Sequence, residues 1–347
     1  MTDNMFNNKT ILITGGTGSW GHELLHQILT KNVKKVKIYS RGELNQWKMA
    51  KNLGADPRVE FIVGDVRDQD RLNTATQGVD IVFHLAALKH VPICEKNPFE
   101  AVQTNIVGTQ NVINSCILNN VEIMVDVSTD KAVDPFNLYG VTKSCAEKLC
   151  IAANNLDSRC KFVCVRGGNV LGTNGSVIPL FHEQILSKGE VTVTDGSMTR
   201  FLMRLSEAIN LLLYSVQNCI GGEIFVIKMS SFTVDQLVNV MSKKLCKDVK
   251  INVIGARPGE KYHEVLVSRY EGTSTYDLGS HFVIIPNIMN DKIGSKYNDL
   301  PSVGYREFAS NNCTKLSDEK LGDILELEGW CTNSLTGRDT SILGKWN

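Results

Sequence analysis

The chain predicts an α/β protein: a doubly wound parallel sheet followed by a smaller mixed α/β lobe. Short apolar runs alternate with helical patterns from Thr10 to Arg166, the signature of βαβ units. A glycine-rich turn follows the first of these runs. After Gly167-Gly168-Asn169-Val170 the strict alternation ends and mixed elements begin. These observations place a Rossmann domain at residues 1–166 and a substrate lobe at 167–347, with some later segments free to return to the sheet.

The first strand run, Thr10 to Thr14, leads directly into Gly15-Gly16-Thr17-Gly18-Ser19-Trp20-Gly21, and His22 to Leu29 carries helical periodicity. Glycines at 15, 18 and 21 allow a tight turn, close backbone approach and a helix N-terminus aimed at a pyrophosphate. A dinucleotide site is expected here. The second run, Lys35 to Ser40, ends in Tyr39-Ser40-Arg41. Where a free ribose 2′-hydroxyl binds, Asp or Glu usually stands at this point. A hydroxyl and a guanidinium suit a 2′-phosphate better, so NADP is the expected cofactor. The plainer reading of Arg41 is a solvated loop residue.

Val59 to Val63 reads as the third strand, closed by Gly64-Asp65-Val66. Asp65 would accept from an adenine amino group or cap the helix that starts near Asp68. The fourth, Asp80 to His84, runs into Leu85-Ala86-Ala87-Leu88-Lys89-His90. Ala86 and Ala87 leave space for a cofactor to cross the sheet, and Lys89 is either an anion ligand or an exposed lysine. Pro98 opens a long helix that contains Asn105, as Pro suits a first helical turn.

The fifth strand, Ile123 to Val127, delivers the stretch Ser128 to Lys143, which the chemistry centres on. Thr129, Asp130 and Lys131 offer a hydroxyl, a carboxylate and an amine in succession at a strand's C-terminal end, where open α/β sheets bind ligands. Tyr139 and Lys143 stand one helical turn apart, with Cβ atoms roughly 5–6 Å apart on one face. An ammonium beside a phenol favours the phenolate. Lys161 to Arg166 is the sixth strand. In the second lobe, Met198-Thr199-Arg200-Phe201 and Gly255-Ala256-Arg257-Pro258-Gly259-Glu260-Lys261 read as basic loops at strand exits. Arg200 and Arg257 there are either exposed arginines or a bidentate clamp for a diphosphate.

Composition sets outer bounds. With 42% apolar residues, 21% charged residues and a net charge of +0, the chain gives no reason to expect nucleic acid or an anionic membrane as partner. The 10 cysteines form no C-x-x-C pair and read as reduced, which points to a cytoplasmic compartment. The N-terminus has no apolar signal core, and no segment is long enough to span a bilayer. No metal site is expected.

Taken together, TGGTGSWG (14–21), YSRGEL (39–44), GDVRD (64–68), AALKHVP (86–92), STDKAVDPFNLYGVTK (128–143), GGNVLGTNGSVIPLF (167–181), MTRFLM (198–203) and RPGEK (257–261) resemble one group. That group is the inverting UDP-N-acetylglucosamine (UDP-GlcNAc) 4,6-dehydratases, in the polysaccharide-biosynthesis branch of the extended short-chain dehydrogenase/reductases. The resemblance implies an NADP site lined by Thr17 to Trp20, Arg41, Asp65, Val66, Ala86, Tyr139, Lys143 and Val170. It implies a UDP-sugar site with Lys89, Asn169, Arg200, Arg257 and Glu260, and a homo-oligomer. Gly15, Gly21, Ala87 and Asn105 complete the cofactor set read from the sequence. Asp130-Lys131 replaces the Asp-Glu of retaining enzymes. Trp20 stands where the group usually has Phe, and Gly167 where Tyr is common. The expected activity is C4 oxidation, elimination of water across C5 and C6, reduction at C6 and inversion at C5. Thr129, Asp130, Lys131, Tyr139 and Lys143 are the expected catalytic residues, with the Tyr139 pKa lowered by Lys143 and the cofactor's cation. Alternatives are a UDP-sugar C4-epimerase, a retaining 4,6-dehydratase, or a non-catalytic NADP-binding protein.

Overall fold

The computed structural model of the chain describes residues 3–156, 158–172, 176–256, 259–289 and 293–332. Two compact units emerge. One comprises Met1–Gly167, Ser206–Lys228 and Leu266–Glu307; the other comprises Gly168–Leu205, Met229–Val265 and the chain from Phe308 on.

The first unit is built on a nine-stranded sheet. Its strands β1 (Thr10–Thr14), β2 (Lys35–Ser40), β3 (Val59–Val63), β4 (Ile81–His84), β5 (Ile123–Thr129) and β6 (Lys161–Gly167) lie in the order β6-β5-β4-β1-β2-β3, all parallel. The order reverses between β1 and β4, the switch point where doubly wound sheets bind dinucleotides. β1 and β4 are buried along their whole length, as a sheet covered on both faces requires. Ile11, Leu12, Ile13, Phe83 and Val125 form its dry centre. β5 runs two residues past the expected Val127, because Ser128 and Thr129 still pair with Arg166 and Gly167 of β6.

Two later segments complete the sheet. Ile224–Ile227 pairs parallel with β6, and His281–Ile284 and Thr275–Asp277 extend that edge antiparallel. A buried charge network ties them in. Arg166 of β6 forks onto Glu147, with both contacts at 2.7 Å, and reaches Glu271 at 2.7 and 2.9 Å.

The long helix from Pro98 is continuous but not uniform. Pro98–Val102 and Gly108–Leu118 are α-helical, and Gln103–Val107 between them widens to π geometry. Such bulges often mark functional places.

The second unit has its own core of Leu171, Phe181, Val191, Phe232, Leu237 and Leu321 among others. The core is framed by the helices Val177–Lys188, Val234–Leu245 and Asp318–Leu327. Thr233 and Ser317 cap two of these helices by accepting from the backbone N–H groups of Gln236 and Lys320. Two short pairings brace it: Thr199–Leu202 antiparallel with Ser230–Thr233, and Glu190–Val193 parallel with Lys250–Val253. Among the described residues, no helix is long and apolar enough to cross a membrane.

Candidate functional site

The turn after β1 is shaped to take a backbone-bound anion. Gly15 sits at φ +66, and a Cβ there would lie 2.8 Å from the N and Cα of Ala86, so only glycine lets the turn press against the loop after β4. At Gly21 a Cβ would meet the Gly16 oxygen at 2.1 Å. The following helix, Ser19–Leu29, starts at Gly18 with no side-chain cap, and Thr17, Ser19 and Trp20 are only partly covered. Uncapped N–H groups at a helix start, reached across glycine, fit a pyrophosphate. Beneath the turn, Thr14 Oγ1 and His84 Nδ1 lie 2.7 Å apart, and His84 Nε2 lies 3.1 Å from Thr109 Oγ1.

At the end of β2 the structure narrows the expectation. The Tyr39 hydroxyl is buried and donates to the Asp65 carbonyl at 2.8 Å, while the Ser40 hydroxyl accepts from Gln46 Nε2 at 3.0 Å. Both hydroxyls are engaged inside the protein, whereas the guanidinium of Arg41 is 55% exposed. Asp65 lies 3.8 Å from it and is gripped by Arg67 at 2.7 Å. Burial pushes the Asp65 carboxyl up, but the hydrogen bonds from Arg67 hold it below the ordinary range. The next helix is capped by Asp68, which accepts from Arg71 N, so Asp65 is not its cap.

Val66 is buried against Gly108, where a Cβ would meet it at 2.7 Å. Ala86 and Ala87 are half-buried and Lys89 is exposed on the β4 loop. Asn105, in the π turn, clamps that loop. It accepts from Leu88 N at 2.8 Å and donates to Leu88 O and to Thr142 Oγ1, both at 2.9 Å. Both amide hydrogens are thus committed inside the protein, and Asn105 holds the loop to the tyrosine helix rather than donating to a ligand.

At the end of β5 the expected catalytic residues come together. The Thr129 hydroxyl donates to Asp130 Oδ1 at 2.9 Å, and Lys131 Nζ donates to the same oxygen at 3.0 Å. Asp130 is fully buried, and its Oδ2 has no hydrogen-bond partner. A buried carboxylate oxygen left unpaired is costly and calls for an explanation. Asn137 caps the helix Leu138–Ala153, accepting from Gly140 N at 2.9 Å. A Cβ at Gly140 would stand 2.1 Å from the Lys131 oxygen, so this glycine is what lets the helix's first turn rest on the Asp130–Lys131 segment. Tyr139 is half-buried and hydrogen-bonded to the Thr129 side chain.

One expectation is corrected. Tyr139 does not have a lowered pKa in the protein by itself: burial raises it, and the charges of Lys143 and Lys131 with the Thr129 hydrogen bond only partly offset this. The physical reason is that burial disfavours the phenolate, and Lys143, whose charge favours it, has in addition a partner missed in the sequence. Lys143 Nζ lies 3.1 Å from each carboxylate oxygen of Asp126, in the middle of β5. The signal available was an acid inside an otherwise apolar strand run.

In the second unit a further correction applies. Arg200 is not a loop residue: it lies within the strand Thr199–Leu202, 7% exposed. Its guanidinium donates to Glu260 Oε1 at 3.1 Å and to the backbone oxygens of Thr199 and Tyr262 at 2.8 and 3.2 Å, with Glu264 at 3.9 Å. Arg200 and Glu260 are therefore paired with each other. Val170 is buried and bridges to Met203, whose N–H donates to the Asn169 oxygen at 3.3 Å. Arg257 lies outside the described residues.

The chain is similar to known proteins over nearly its whole length. It is 43% identical over 336 residues to the inverting UDP-N-acetylglucosamine 4,6-dehydratase of Campylobacter jejuni, covering 92% of this chain and 98% of that one. It is 41% identical over 330 residues to the UDP-glucose 4-epimerase of Rickettsia bellii, covering 92% and 96%. The crystal structure of Pen from Bacillus thuringiensis superposes with a TM-score of 0.88 at 37% identity, over 94% of this chain and 99% of that one. The family model for polysaccharide biosynthesis proteins matches residues 11–286, and the chain belongs to that family, with an extended short-chain dehydrogenase/reductase fold.

Proposed function

We propose that the protein is an NADP-dependent UDP-GlcNAc 4,6-dehydratase that inverts C5. The observation that carries this reading is the Asp130–Lys131 pair beside Tyr139, with one oxygen of Asp130 buried and unpartnered. A simple epimerase needs no acid–base pair at this place, whereas an elimination needs one group to take a proton and another to give one.

The glycine turn, with Gly15, Thr17, Gly18, Ser19, Trp20 and Gly21, would hold the pyrophosphate, and Val66, Ala86, Ala87, Tyr139, Lys143 and Val170 would line the rest. Arg41 would meet a 2′-phosphate and Asp65 the adenine side. When bound, the nicotinamide supplies hydride acceptance at C4 and hydride return at C6. Tyr139, ionised in the working complex, would take the C4 hydroxyl proton and keep it as the phenol, with the Thr129 side chain hydrogen-bonded beside it. Lys131 and Asp130 stand 3.0 Å apart, so moving one proton from the ammonium to the carboxylate turns an ion pair into a neutral amine and a carboxylic acid. The amine then removes the C5 proton, made acidic by the C4 ketone, and the acid protonates the departing C6 hydroxyl as water. Reprotonation of C5 on the opposite face gives a 6-deoxy-4-keto sugar of inverted configuration. Lys89, Asn169, Arg200, Arg257 and Glu260 are assigned to the UDP-sugar.

A second reading, a UDP-sugar C4-epimerase, draws on Tyr139 and Lys143 alone and on the Rickettsia relative. Incubation of purified protein with UDP-GlcNAc in D₂O, followed by NMR, separates the two. Deuterium at C5 of a 6-deoxy-4-keto product with inverted C5 coupling is expected. Retained C5 geometry would remove the role given to Lys131; a 4-epimer with C6 intact would establish the second reading.

A further inference from the structure

Asp126 is a fully buried carboxylate, and both its oxygens lie 3.1 Å from Lys143 Nζ. None of the chemistry above uses it. The groups that face it come from three elements. The Leu138–Ala153 helix brings Lys143, Glu147 and Cys150. From β6 comes Cys164, whose thiol and that of Cys150 lie within 4.8 Å of the carboxylate and of each other. From β4 comes His84, its neighbour in the ladder. Of these, Glu147 is taken by Arg166. The Cys164 thiol is pushed up by its hydrogen bond with Cys150 and by burial. Burial, then the charge of Lys143, lowers the His84 imidazole to about 3, so it is neutral. Lys143 is therefore the cation that answers Asp126.

We propose that Asp126 is a positioning residue for Lys143: it fixes the ammonium on the β5 side and masks its charge, so that Tyr139 keeps its proton to a higher pH than Lys143 alone would allow. The inference rests on Tyr139 and Lys143 being the working pair of the proposed reaction. Its physics is simple. Opposite charges held together act at a distance as a dipole, whose pull on a phenolate falls off faster than that of a lone ammonium. Burial lifts the Asp126 carboxyl to about 6 against the opposing effect of Lys143, so the mask is in place at neutral pH and is removed by acid.

The test removes the charge and keeps the shape. Tyrosinate absorbance is titrated in the protein and in Asp126→Asn, each measured against its Tyr139→Phe counterpart, so that only Tyr139 is read. The midpoint is expected to fall by about one pH unit in Asp126→Asn. An unchanged or raised midpoint, including one accompanied by a lower melting temperature, would overturn the proposal and leave Asp126 a packing residue. No turnover is involved, so the result stands or falls apart from the assignment of UDP-GlcNAc. Should Asp126→Asn fail to fold, ¹⁵N-lysine NMR of the unaltered protein decides. The Lys143 ammonium resonance, identified by its loss in Lys143→Met, is expected to shift through a midpoint of about pH 6 as Asp126 titrates. A resonance that stays fixed across that range would overturn the proposal.

Discussion

The first unit holds two lysine–aspartate pairs within one short stretch of chain, and they differ in how completely they are satisfied. Lys143 and Asp126 are 3% and 0% exposed, and the ammonium meets both oxygens. Lys131 and Asp130 are 23% and 1% exposed, the ammonium meets one oxygen, and the other has no partner. A closed pair in a dry strand can hold a charge in place but has no room to exchange it with a substrate. A half-open pair can do both. Similar residues at similar distances thus do different work, and the difference lies in the unpaired oxygen.

Breaking the half-open pair should have the largest effect. Asp130→Asn keeps the shape, and its amide can still accept from Thr129 and Lys131, but it cannot deliver a proton to the leaving hydroxyl. The rate of 6-deoxy-4-keto product formation should drop about 10²–10⁴-fold, the usual worth of a general acid. Lys131→Met should cost as much and should also abolish deuterium uptake at C5. In Asp130→Asn the half-open Lys131 can still give its proton to water in place of the carboxylate, which should leave that exchange slower but measurable. NMR of the sugar in D₂O reads both. Equal loss of exchange in the two variants would deny them separate roles.

This contrast was only half legible beforehand. Asp130, Lys131, Tyr139 and Lys143 stand in one motif, and the order of residues is enough to suggest chemistry. The same holds for β1, where an apolar run meets glycines that only one backbone turn satisfies. Asp126 lay in plain view inside a strand run, but its partner is set by how the helix Leu138–Ala153 packs on β5. Spacing cannot show that. Arg200 was misplaced because its strand is four residues long and pairs with the polar Ser230–Thr233, so no apolar alternation announced it. Likewise, Leu266–Glu307 joins the first unit partly through Arg166 and Glu271, a pairing across 105 positions.

Breaking the closed pair should act on stability, and in a pH-dependent way. Lys143→Met leaves the Asp126 carboxylate buried without a cation, and losing one member of a buried pair costs about 3–5 kcal/mol. The carboxyl escapes much of that by staying protonated. Its folded pKa is already raised to about 6, above that of an unfolded aspartate, so the folded form binds the extra proton and gains from acid. Relative to the unaltered protein, Lys143→Met should therefore lose little stability below about pH 5 and most above about pH 7, as urea unfolding at each pH would report. A loss independent of pH would mean that Asp126 is not ionised in the folded protein.

An exposed pair supplies the other limit and the smallest effect. Lys35 on β2 and Glu60 on β3 lie 3.0 Å apart, as close as Lys131 and Asp130, but each side chain is 43% exposed. Water screens both charges and ordering two long side chains costs entropy, so Lys35→Ala should change stability by less than about 1 kcal/mol. Salt sharpens the comparison. Screening at about 1 M reaches exposed charges but not buried ones, so the effect of Lys35→Ala should vanish while that of Lys143→Met persists at neutral pH. If salt weakened both alike, water would have to reach Asp126, and the separation between a closed and an open pair would fail.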